Sequence, residues 1–417
     1  VHLPLPMLLE QTRISRLSPE DFRPIFRRER FIVFIRGESG SGKTSLAIQL
    51  ANWALEVNAG QRLGHHRMLP AFIEAPPNLN SEAGLHSVLA AIQKQVQKLL
   101  VNPRDLSLEL VQDLLRRQRI LVIIDHVSHV SDDLAGLFGR GLDDRSPIKA
   151  LVLTAQGAEE IFGAAAATVL ALPMEADSLA EFLSGYLKQK GKRELFSDRE
   201  FLEAAVRLSE LAGDRNITVL LARIYADLMV ASKEFLRTHP IPGNLPDLFL
   251  SYLEALNQNV ATGSKPDSGT LARLAKAAAW ECLKLGFRPG PAKVRDLAAA
   301  FSSEPDVLQK LPYCWEKLPL LQSVQSTEPV YRFTSDSLAE YLGALRLIEL
   351  LGDNEKAWRH CLTNIAGRHG SAGDICSFLL TLRDCCRVKG QESGVPEFVG
   401  RELGRLVGTD PTGFEPT

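Results

Sequence analysis

The sequence lacks any apolar run long enough to cross a membrane, and it has no marked excess of either charge. No stretch approaches the roughly 20 consecutive apolar residues that a membrane-spanning helix needs. The 48 basic and 50 acidic side chains leave a formal net charge of −2, so no overall basic field favours binding to nucleic acid. Residues 1–7 lack the basic start and the long apolar core of a signal peptide. We therefore expect a cytoplasmic protein whose partners include neither a membrane nor a nucleic acid.

Cysteine is scarce and is confined to the second half of the chain. The six cysteines are Cys282, Cys314, Cys361, Cys376, Cys385 and Cys386. No C-x-x-C pair occurs, and no His or Cys partner stands at the spacing that a metal site needs. We therefore expect reduced thiols, mostly buried, and no metal site built on cysteine.

One stretch of the sequence matches a phosphate-binding loop. Residues 37–44 read G-E-S-G-S-G-K-T, which fits the pattern G-x-x-x-x-G-K-T. The glycines let backbone N–H groups surround a phosphate, and Lys43 brings a positive charge to the β- and γ-phosphates. The hydroxyl of Thr44 is a hard oxygen ligand for Mg²⁺. The apolar run 31–35 and the apolar-periodic run 45–55 predict the strand and the helix that must flank such a loop. The predicted nucleotide-binding residues are Gly37, Glu38, Ser39, Gly40, Ser41, Gly42, Lys43, Thr44 and Ser45.

A carboxylate is expected opposite this loop. Residues 120–124 are five apolar residues that end at Asp125, and an acid at the end of a buried strand can hold Mg²⁺ opposite Thr44, often through water. Asp125 is therefore the predicted second metal ligand and the predicted catalytic carboxylate. No Glu follows closely, so His126 and His129 are the candidates for a base that activates water, although each also fits a surface or packing role.

The order of the predicted elements changes along the chain, which at 417 residues has the length of about three domains. Predicted strands and helices alternate up to about residue 175, which favours a mostly parallel sheet with helices on both faces. Residues 1–30 are expected to form a lead-in with one short helix that starts at Ser18. Helices without convincing strands follow to about residue 310, and short mixed segments return near 312–335.

Four segments together resemble the STAND class of P-loop NTPases, and within it the NACHT family. They are residues 37–44, 120–125, 150–156 and 331–345, of which the last looks like the family's winged-helix signature. A weaker echo at 216–221, N-I-T-V-L-L, stands where the family's helical domain carries a Pro-Leu pair that faces the nucleotide. The resemblance implies an α/β P-loop NTPase domain that is followed by an all-α helical domain and a winged-helix-like domain.

The resemblance also implies domain boundaries. The predicted segments are a lead-in at 1–30, a P-loop nucleotide-binding domain at 31–175, a helical domain at 176–265, a winged-helix-like domain at 266–350 and a C-terminal helical segment at 351–417.

Several positions depart from the family pattern. Gln156 replaces the sensor Arg, Thr218 replaces the helical-domain Pro, and Ser335 replaces the winged-helix His that touches the ADP phosphate. The pair 128–129 stands where a further acidic pair usually follows the strand-end Asp. These three replaced positions, together with Thr154 on the sensor strand, are further candidates for contact with the nucleotide. The groups that grip phosphate and metal are kept while the others are not, so we expect slow or impaired hydrolysis.

The resemblance implies an ATP-binding switch that opens and self-associates under nucleotide control, with ATP or ADP and Mg²⁺ as its ligands. Such modules usually stand between an effector and a sensor, so we expect a piece of a larger protein in immune or stress signalling. Three alternatives stay open. An AAA+-type ATPase that remodels protein or nucleic acid would need a Glu after Asp125. A GTPase would need a guanine-reading string, and the nearest, S-K-P-D at 264–267, lies in a predicted loop. A binding-only scaffold would have lost turnover.

Overall fold

The chain folds into two compact units that alternate along the sequence. The first unit comprises Val1–Gly185 with Asn216–Leu220, and the second comprises Tyr186–Arg215 with Leu221–Thr417. The computed structural model describes residues 6–14, 17–74, 83–99, 106–127, 146–155, 166–234, 241–260, 265–301, 307, 309–318, 320–324, 330–367 and 372–408.

A seven-stranded, mostly parallel sheet forms the centre of the first unit. Its strands are β1 (Met7–Leu9), β2 (Thr12–Ile14), β3 (Phe31–Arg36), β4 (Leu69–Glu74), β5 (Ile120–Val127), β6 (Ala150–Ala155) and β7 (Ala166–Ala171). They lie in the order β2-β1-β7-β3-β6-β5-β4, and every neighbouring pair from β7 to β4 is parallel. All residues of β3 and β6 are buried, as expected of parallel strands that are covered on both faces.

Helices cover both faces of this sheet. They are α1 (Pro19–Phe26), α2 (Lys43–Leu55), α3 (Ala83–Gln97) and α4 (Leu108–Arg116), followed by α5 (Ala176–Gln189), which begins in the first unit and continues into the second. Helices α3 and α4 share a core with alternate residues of the strands, such as Ile32, Phe34 and Ile124. Helix α2 packs against β3, β4, β5 and β6. The predicted α/β P-loop NTPase fold, with a mostly parallel sheet, is confirmed.

The lead-in differs from its prediction, because it contributes two strands as well as the predicted helix α1. Strand β1 pairs with β7 and with β2, in both cases antiparallel. The turn between β1 and β2 places Glu10 and Gln11 at φ values of 47° and 81°. Such turns favour Gly, Asn or Asp, so the sequence carries no hairpin signal here, and strands of three residues are too short to show a period.

The second unit is mainly helical. Its helices are α6 (Asp198–Ala212), α7 (Val219–Glu234), α8 (Leu245–Gln258), α9 (Ser268–Leu283), α10 (Val294–Ala299), α11 (Tyr313–Glu316), α12 (Asp336–Leu351), α13 (Glu355–Gly367), α14 (Ala372–Lys389) and α15 (Glu397–Val407), of which α7 starts within the segment assigned to the first unit. Three antiparallel strands, β8 (Ala292–Lys293), β9 (Leu321–Val324) and β10 (Val330–Phe333), form a sheet in the order β8-β10-β9. Strand β8 lies where no strand was expected, because two residues leave no recognisable pattern.

Helices α9 and α12 approach each other closely in this unit. A Cβ atom added at Gly343 would overlap Cδ1 of Leu283 and would lie 3.5 Å from the backbone of Ala279. Tyr341 and Leu342, which precede Gly343 in α12, are buried as well. The ring of Tyr341 stacks on that of Phe249, with 4.2 Å between the ring centroids. A larger residue at 343 would have to displace the end of the Leu283 side chain, whereas the backbone of α9 would remain at an ordinary contact distance.

A buried polar cluster links α12 and α14 to Arg215, which lies three residues after the end of α6. Arg215 forms an ion pair with Asp384, with 2.6 Å between Nε and Oδ2. Its Nη1 donates a hydrogen bond to Oγ1 of Thr381 at 3.3 Å, and its guanidinium carbon lies 5.6 Å from the ring centroid of Tyr341. Ion pairs that lose water must be well matched to be favourable, so the cluster makes this part of the fold depend on several polar partners.

Glu340 is the most deeply buried carboxyl group of this cluster. It is 4% exposed, and its Oε2 accepts a hydrogen bond from Oγ of Ser377 at 2.6 Å. Burial raises the pKa of Glu340 to about 7, while the hydrogen bond from Ser377 lowers it; the charge of Asp336 raises it and that of Arg215 lowers it. Loss of water around the carboxylate therefore outweighs the favourable contacts.

The cysteines behave as small core residues. No disulfide joins the six of them, all of which lie in the described part of the chain, and four are buried. Burial raises the pKa of both Cys282 and Cys314 to about 12. Among the described residues, no helix is long and apolar enough to span a membrane, and no group of three or more His, Cys, Asp or Glu side chains could hold a metal ion.

Candidate nucleotide-binding site

The predicted phosphate loop connects the end of β3 to the start of α2. Gly40 and Gly42 have φ values of +75° and +93°, in the left-handed region where glycine carries no penalty from Cβ. Helix α2 begins at Lys43, directly after Gly42. The positive end of the α2 dipole therefore lies at the loop, where it favours an anion.

The amine of Lys43 is held by the loop itself. Its Nζ donates to the carbonyl oxygen of Gly37 at 2.8 Å and to that of Glu38 at 2.7 Å. These carbonyl groups are the first two of the predicted pattern, so the lysine that closes the pattern folds back over its beginning. The charge is thereby placed next to the backbone of the loop.

Asp125 lies beside the hydroxyl group of Thr44. Oγ1 of Thr44 donates to Oδ2 of Asp125 at 2.9 Å and lies 3.2 Å from Oδ1. Asp125 is 1% exposed and stands on β5, whose side chains alternate between the two faces of the sheet. Residues 120, 122 and 124 face the core with α3 and α4, so Asp125 faces the other side, where α2 packs.

A second hydroxyl group reaches the same carboxylate from the neighbouring strand. Oγ1 of Thr154, on β6, donates to Oδ1 of Asp125, and Thr154 is also 1% exposed. The alternation that turns Asp125 towards α2 places Thr154 on the same face. Two hydroxyl donors offset part of the cost of burying a carboxylate. Thr154, predicted as a nucleotide contact, thus serves Asp125 in this structure.

The residues present fit a nucleotide phosphate with Mg²⁺. Oγ of Ser41 is buried and has no hydrogen-bond partner among the residues that the structure describes. A Cβ atom at Gly37 would lie 2.7 Å from that oxygen and 3.0 Å from Cβ of Ala171, so the cradle admits no side chain at the first glycine. Thr44 and Asp125 supply the hard oxygen atoms that Mg²⁺ prefers.

Residues 216–220 form a further part of the site, which we call the strap. The backbone N–H of Leu220 donates to the carbonyl oxygen of Gly40 at 3.0 Å, and Met174 donates to the carbonyl oxygen of Ile217 at 2.9 Å. Nδ2 of Asn216 donates to Oε1 of Glu38. The predicted residue Thr218 lies in the strap, but Asn216 and Leu220 were missed. The weak echo at 216–221 was the only sequence signal for them.

The remaining predicted residues lie elsewhere or outside the described part of the chain. Ser335 belongs to the second unit, where its Oγ accepts a hydrogen bond from the backbone N–H of Leu338 at 3.2 Å and caps α12. Its expected contact with ADP stays a prediction. The side chain of His126, which lies within β5, is outside the described residues, as are the pair 128–129 and Gln156.

Two family models match the chain. The model of an AAA domain matches residues 27–162, which contain the phosphate loop, Thr44, Asp125 and Thr154. The model of NACHT C-terminal helical domain 4 matches residues 371–411. Residues 27–162 are therefore similar to an AAA-type P-loop domain, and residues 371–411 are similar to a C-terminal helical domain of NACHT proteins. The second match covers α14 and α15, so the similarity to NACHT proteins lies in the second unit.

Solved structures of low identity also match this NTPase. One is a STAND protein with a tetratricopeptide repeat sensor from Pyrococcus horikoshii, with 13% identity and a TM-score of 0.38. The match covers 94% of this chain, which spans 53% of the length of that protein. Another is the ORC2 protein of Aeropyrum pernix in its ADP form, with 15% identity and a TM-score of 0.32; it covers 77% of this chain and 87% of that protein. No curated protein matches the sequence.

Proposed function

We propose that this protein is a STAND-class NTPase that binds ATP and ADP together with Mg²⁺ at residues 37–45 and works as a nucleotide-controlled switch. The observation that carries the proposal is the pairing of Thr44 with Asp125, whose Oγ1 and Oδ2 atoms lie 2.9 Å apart at the end of an intact phosphate loop. A buried carboxylate beside the hydroxyl group that ends the G-x-x-x-x-G-K-T pattern is the arrangement that a magnesium nucleotide requires.

Each residue of the site has a defined task under this proposal. The loop N–H groups and the start of α2 bind phosphate oxygen atoms. Lys43 exchanges its carbonyl acceptors in the loop for the phosphates. Thr44 and Asp125 hold Mg²⁺, directly or through water, and Thr154 keeps the carboxylate oriented. The metal ion supplies positive charge that offsets the charge of the phosphates.

Slow turnover is part of the proposal. Among the described residues, the hydroxyl groups of Thr44 and Thr154 contact Asp125 at hydrogen-bond distance, and they orient the carboxylate but do not act as bases at neutral pH. The replacement of the sensor Arg by Gln156 removes a charge that could stabilise the transition state. Binding and release of nucleotide then dominate the behaviour of the protein.

The order of elements in the second unit supports the proposal that the protein is a nucleotide-controlled switch. Among the described residues, helix α9 is followed by β8, α10, α11, β9 and β10, and this order of a helix, a strand, helices and a two-stranded wing suits the winged-helix-like domain expected at 266–350. We propose the boundaries 31–175, 176–265 and 351–417 for the other domains. Nucleotide-dependent opening and self-association, within a larger signalling or defence protein that carries an effector and a sensor, complete the proposal.

Nucleotide titration of matched variants tests the binding step. Lys43→Ala is expected to weaken binding of ATP and ADP by about tenfold to a hundredfold or more, because charge-assisted contacts to phosphate disappear. Lys98→Ala is the matched control: Lys98 is an exposed lysine that follows α3 in the same unit. A Lys43→Ala protein that binds labelled ATP as tightly as the parent would show that the loop is not the binding site.

The metal site and the switch have their own tests. Asp125→Asn is expected to lose the enhancement of ATP binding by Mg²⁺ more than the binding itself, since the loop and Lys43 still contact the phosphates. Asp113→Asn, an exposed acid of α4, is its control. Light scattering of the parent with ATP and with ADP measures self-association. An equal molecular mass with both nucleotides would contradict the proposed switch but not the proposed nucleotide site.

A further inference from the structure

The strap, residues 216–220, belongs to the first unit although the chain on both sides of it belongs to the second. Hydrogen bonds at residues 216, 217 and 220 fix it to other residues of the first unit. Asn216 donates to the side chain of Glu38, Ile217 accepts from Met174, and Leu220 donates to Gly40. Two of these three hydrogen bonds end on the phosphate loop itself.

The fit between the strap and the loop adds a second constraint at Gly40, whose φ of +75° already favours glycine. Gly40 occupies one of the four variable positions of G-x-x-x-x-G-K-T. A Cβ atom at this position would lie 2.8 Å from Cβ of Leu220 and 3.2 Å from Oγ1 of Thr218. Two carbon atoms that are not bonded to each other do not approach to 2.8 Å. The strap can therefore lie this close to the loop only because residue 40 has no side chain.

The strap also contacts Glu38, whose carbonyl oxygen accepts a hydrogen bond from Lys43. Glu38 offers its carboxylate to Asn216 and its backbone carbonyl to Nζ of Lys43, the latter at 2.7 Å. The Asn216 amide therefore fixes the loop residue that sets where the lysine amine rests. Fixing a loop in its binding conformation raises affinity, because less ordering remains to be done when the ligand binds.

We propose that the strap is a positioning element of the phosphate loop, in which Asn216 and the backbone N–H of Leu220 hold Glu38 and Gly40 in the conformation that binds nucleotide phosphates. Asn216 is thus a positioning residue and not a ligand of the nucleotide. This inference rests on the proposed nucleotide site. It assigns a role to a segment that lies 172 residues beyond Thr44 in the chain, counted from Asn216.

A double-mutant cycle on the full chain tests the contact between Asn216 and Glu38. Asn216→Ala and Glu38→Ala are each expected to raise the Kd for ADP about threefold to tenfold, and the double variant is expected to lose no more than either single variant. Glu38→Gln keeps an acceptor oxygen and is expected to bind ADP within about twofold of the parent. Asp214→Ala, an exposed residue just before the strap, is expected to bind as the parent does.

Hydrogen exchange without nucleotide tests the docking of the strap directly. The Leu220 amide is expected to exchange slowly in the parent and faster in Gly40→Ala, because the added methyl group separates the strap from the loop. Unchanged protection of Leu220 in a folded Gly40→Ala protein overturns the inference. The inference is also overturned if Lys43→Ala no longer binds ADP while Asn216→Ala and Glu38→Ala bind it as the parent does. That result would still support the proposed nucleotide site. If Lys43→Ala binds ADP unchanged, the proposed function fails and the inference fails with it.

Discussion

Replacing Glu340 by Gln is expected to remove a pH-dependent loss of stability from the second unit. The carboxyl group is 4% exposed and its pKa in the folded chain is about 7, against 4.5 for an ordinary Glu. Below pH 4.5 the group is protonated in both the folded and the unfolded chain. Between pH 4.5 and 7 the unfolded chain has released this proton while the folded chain keeps it, so the free energy of unfolding falls as pH rises.

The size of the effect follows from the gap between these two pKa values. One pKa unit corresponds to about 1.4 kcal/mol, so the contribution of Glu340 falls by about 3 kcal/mol from pH 4.5 to pH 7 and stays low above it. Gln has no charge to bury, and its amide oxygen can still accept the hydrogen bond from Ser377. The stability of Glu340→Gln relative to the parent is therefore expected to increase by about 2 to 3 kcal/mol between about pH 5 and about pH 8.

Urea denaturation followed by tryptophan fluorescence measures this difference. Trp53 lies in the first unit, whereas Trp280, Trp315 and Trp358 lie in the second, so a Trp53→Phe background makes the signal specific for the second unit. Glu316→Gln, at an exposed position of α11, controls for the loss of a carboxylate as such. Parallel pH profiles for the parent and Glu340→Gln would refute the reasoning and would mean that Arg215 keeps the carboxylate charged in the fold.

Three further outcomes are expected. Thr154→Val removes a hydrogen-bond donor to Asp125. It should therefore weaken binding of magnesium ADP more than binding of ADP alone, and it should lower the free energy of unfolding by about 1 to 3 kcal/mol. Thr154→Ser keeps the donor and should restore both quantities, as measured by nucleotide titration and thermal melting. The parent should hydrolyse ATP about a hundredfold or more below the range of good phosphoryl-transfer enzymes, and acids placed at 128–129 by Ser128→Asp and His129→Glu should raise steady-state turnover; brisk turnover of the parent would contradict this. Gly343→Ala should destabilise the second unit by about 1 to 3 kcal/mol in urea, since the methyl group must displace Leu283, and an unchanged midpoint would show that α9 yields freely.

The sequence was most informative where structure depends on neighbours in the chain. The phosphate loop and the apolar strand ahead of Asp125 each have a local pattern, and the structure contains both. The alternation of side chains on a strand was enough to turn Asp125 towards α2. The resemblance of residues 150–156 to the family's sensor strand placed Thr154 near the site, but it did not predict the hydrogen bond that Thr154 donates to the carboxylate.

The features that were missed depend on contacts between distant parts of the chain. Asn216 and Leu220 are ordinary residues before and at a helix start, and only their hydrogen bonds to Glu38 and Gly40 give them a role. Strands β1, β2 and β8 have two or three residues each, so their partners and not their own patterns hold them extended. Tertiary context of this kind overrides local preference.

Strand β1 has a practical consequence for anyone who shortens the protein. The matched AAA segment begins at residue 27, which invites removal of everything before it. That cut would strip β1 from β7, whose partner on the other side is β3. The backbone N–H and C=O groups of β7 would then be open to any extended chain, and such edges recruit further copies into aggregates. A shortened protein that still contains β1 and β2, residues 7–14, should remain in solution. One that starts at residue 27 should precipitate.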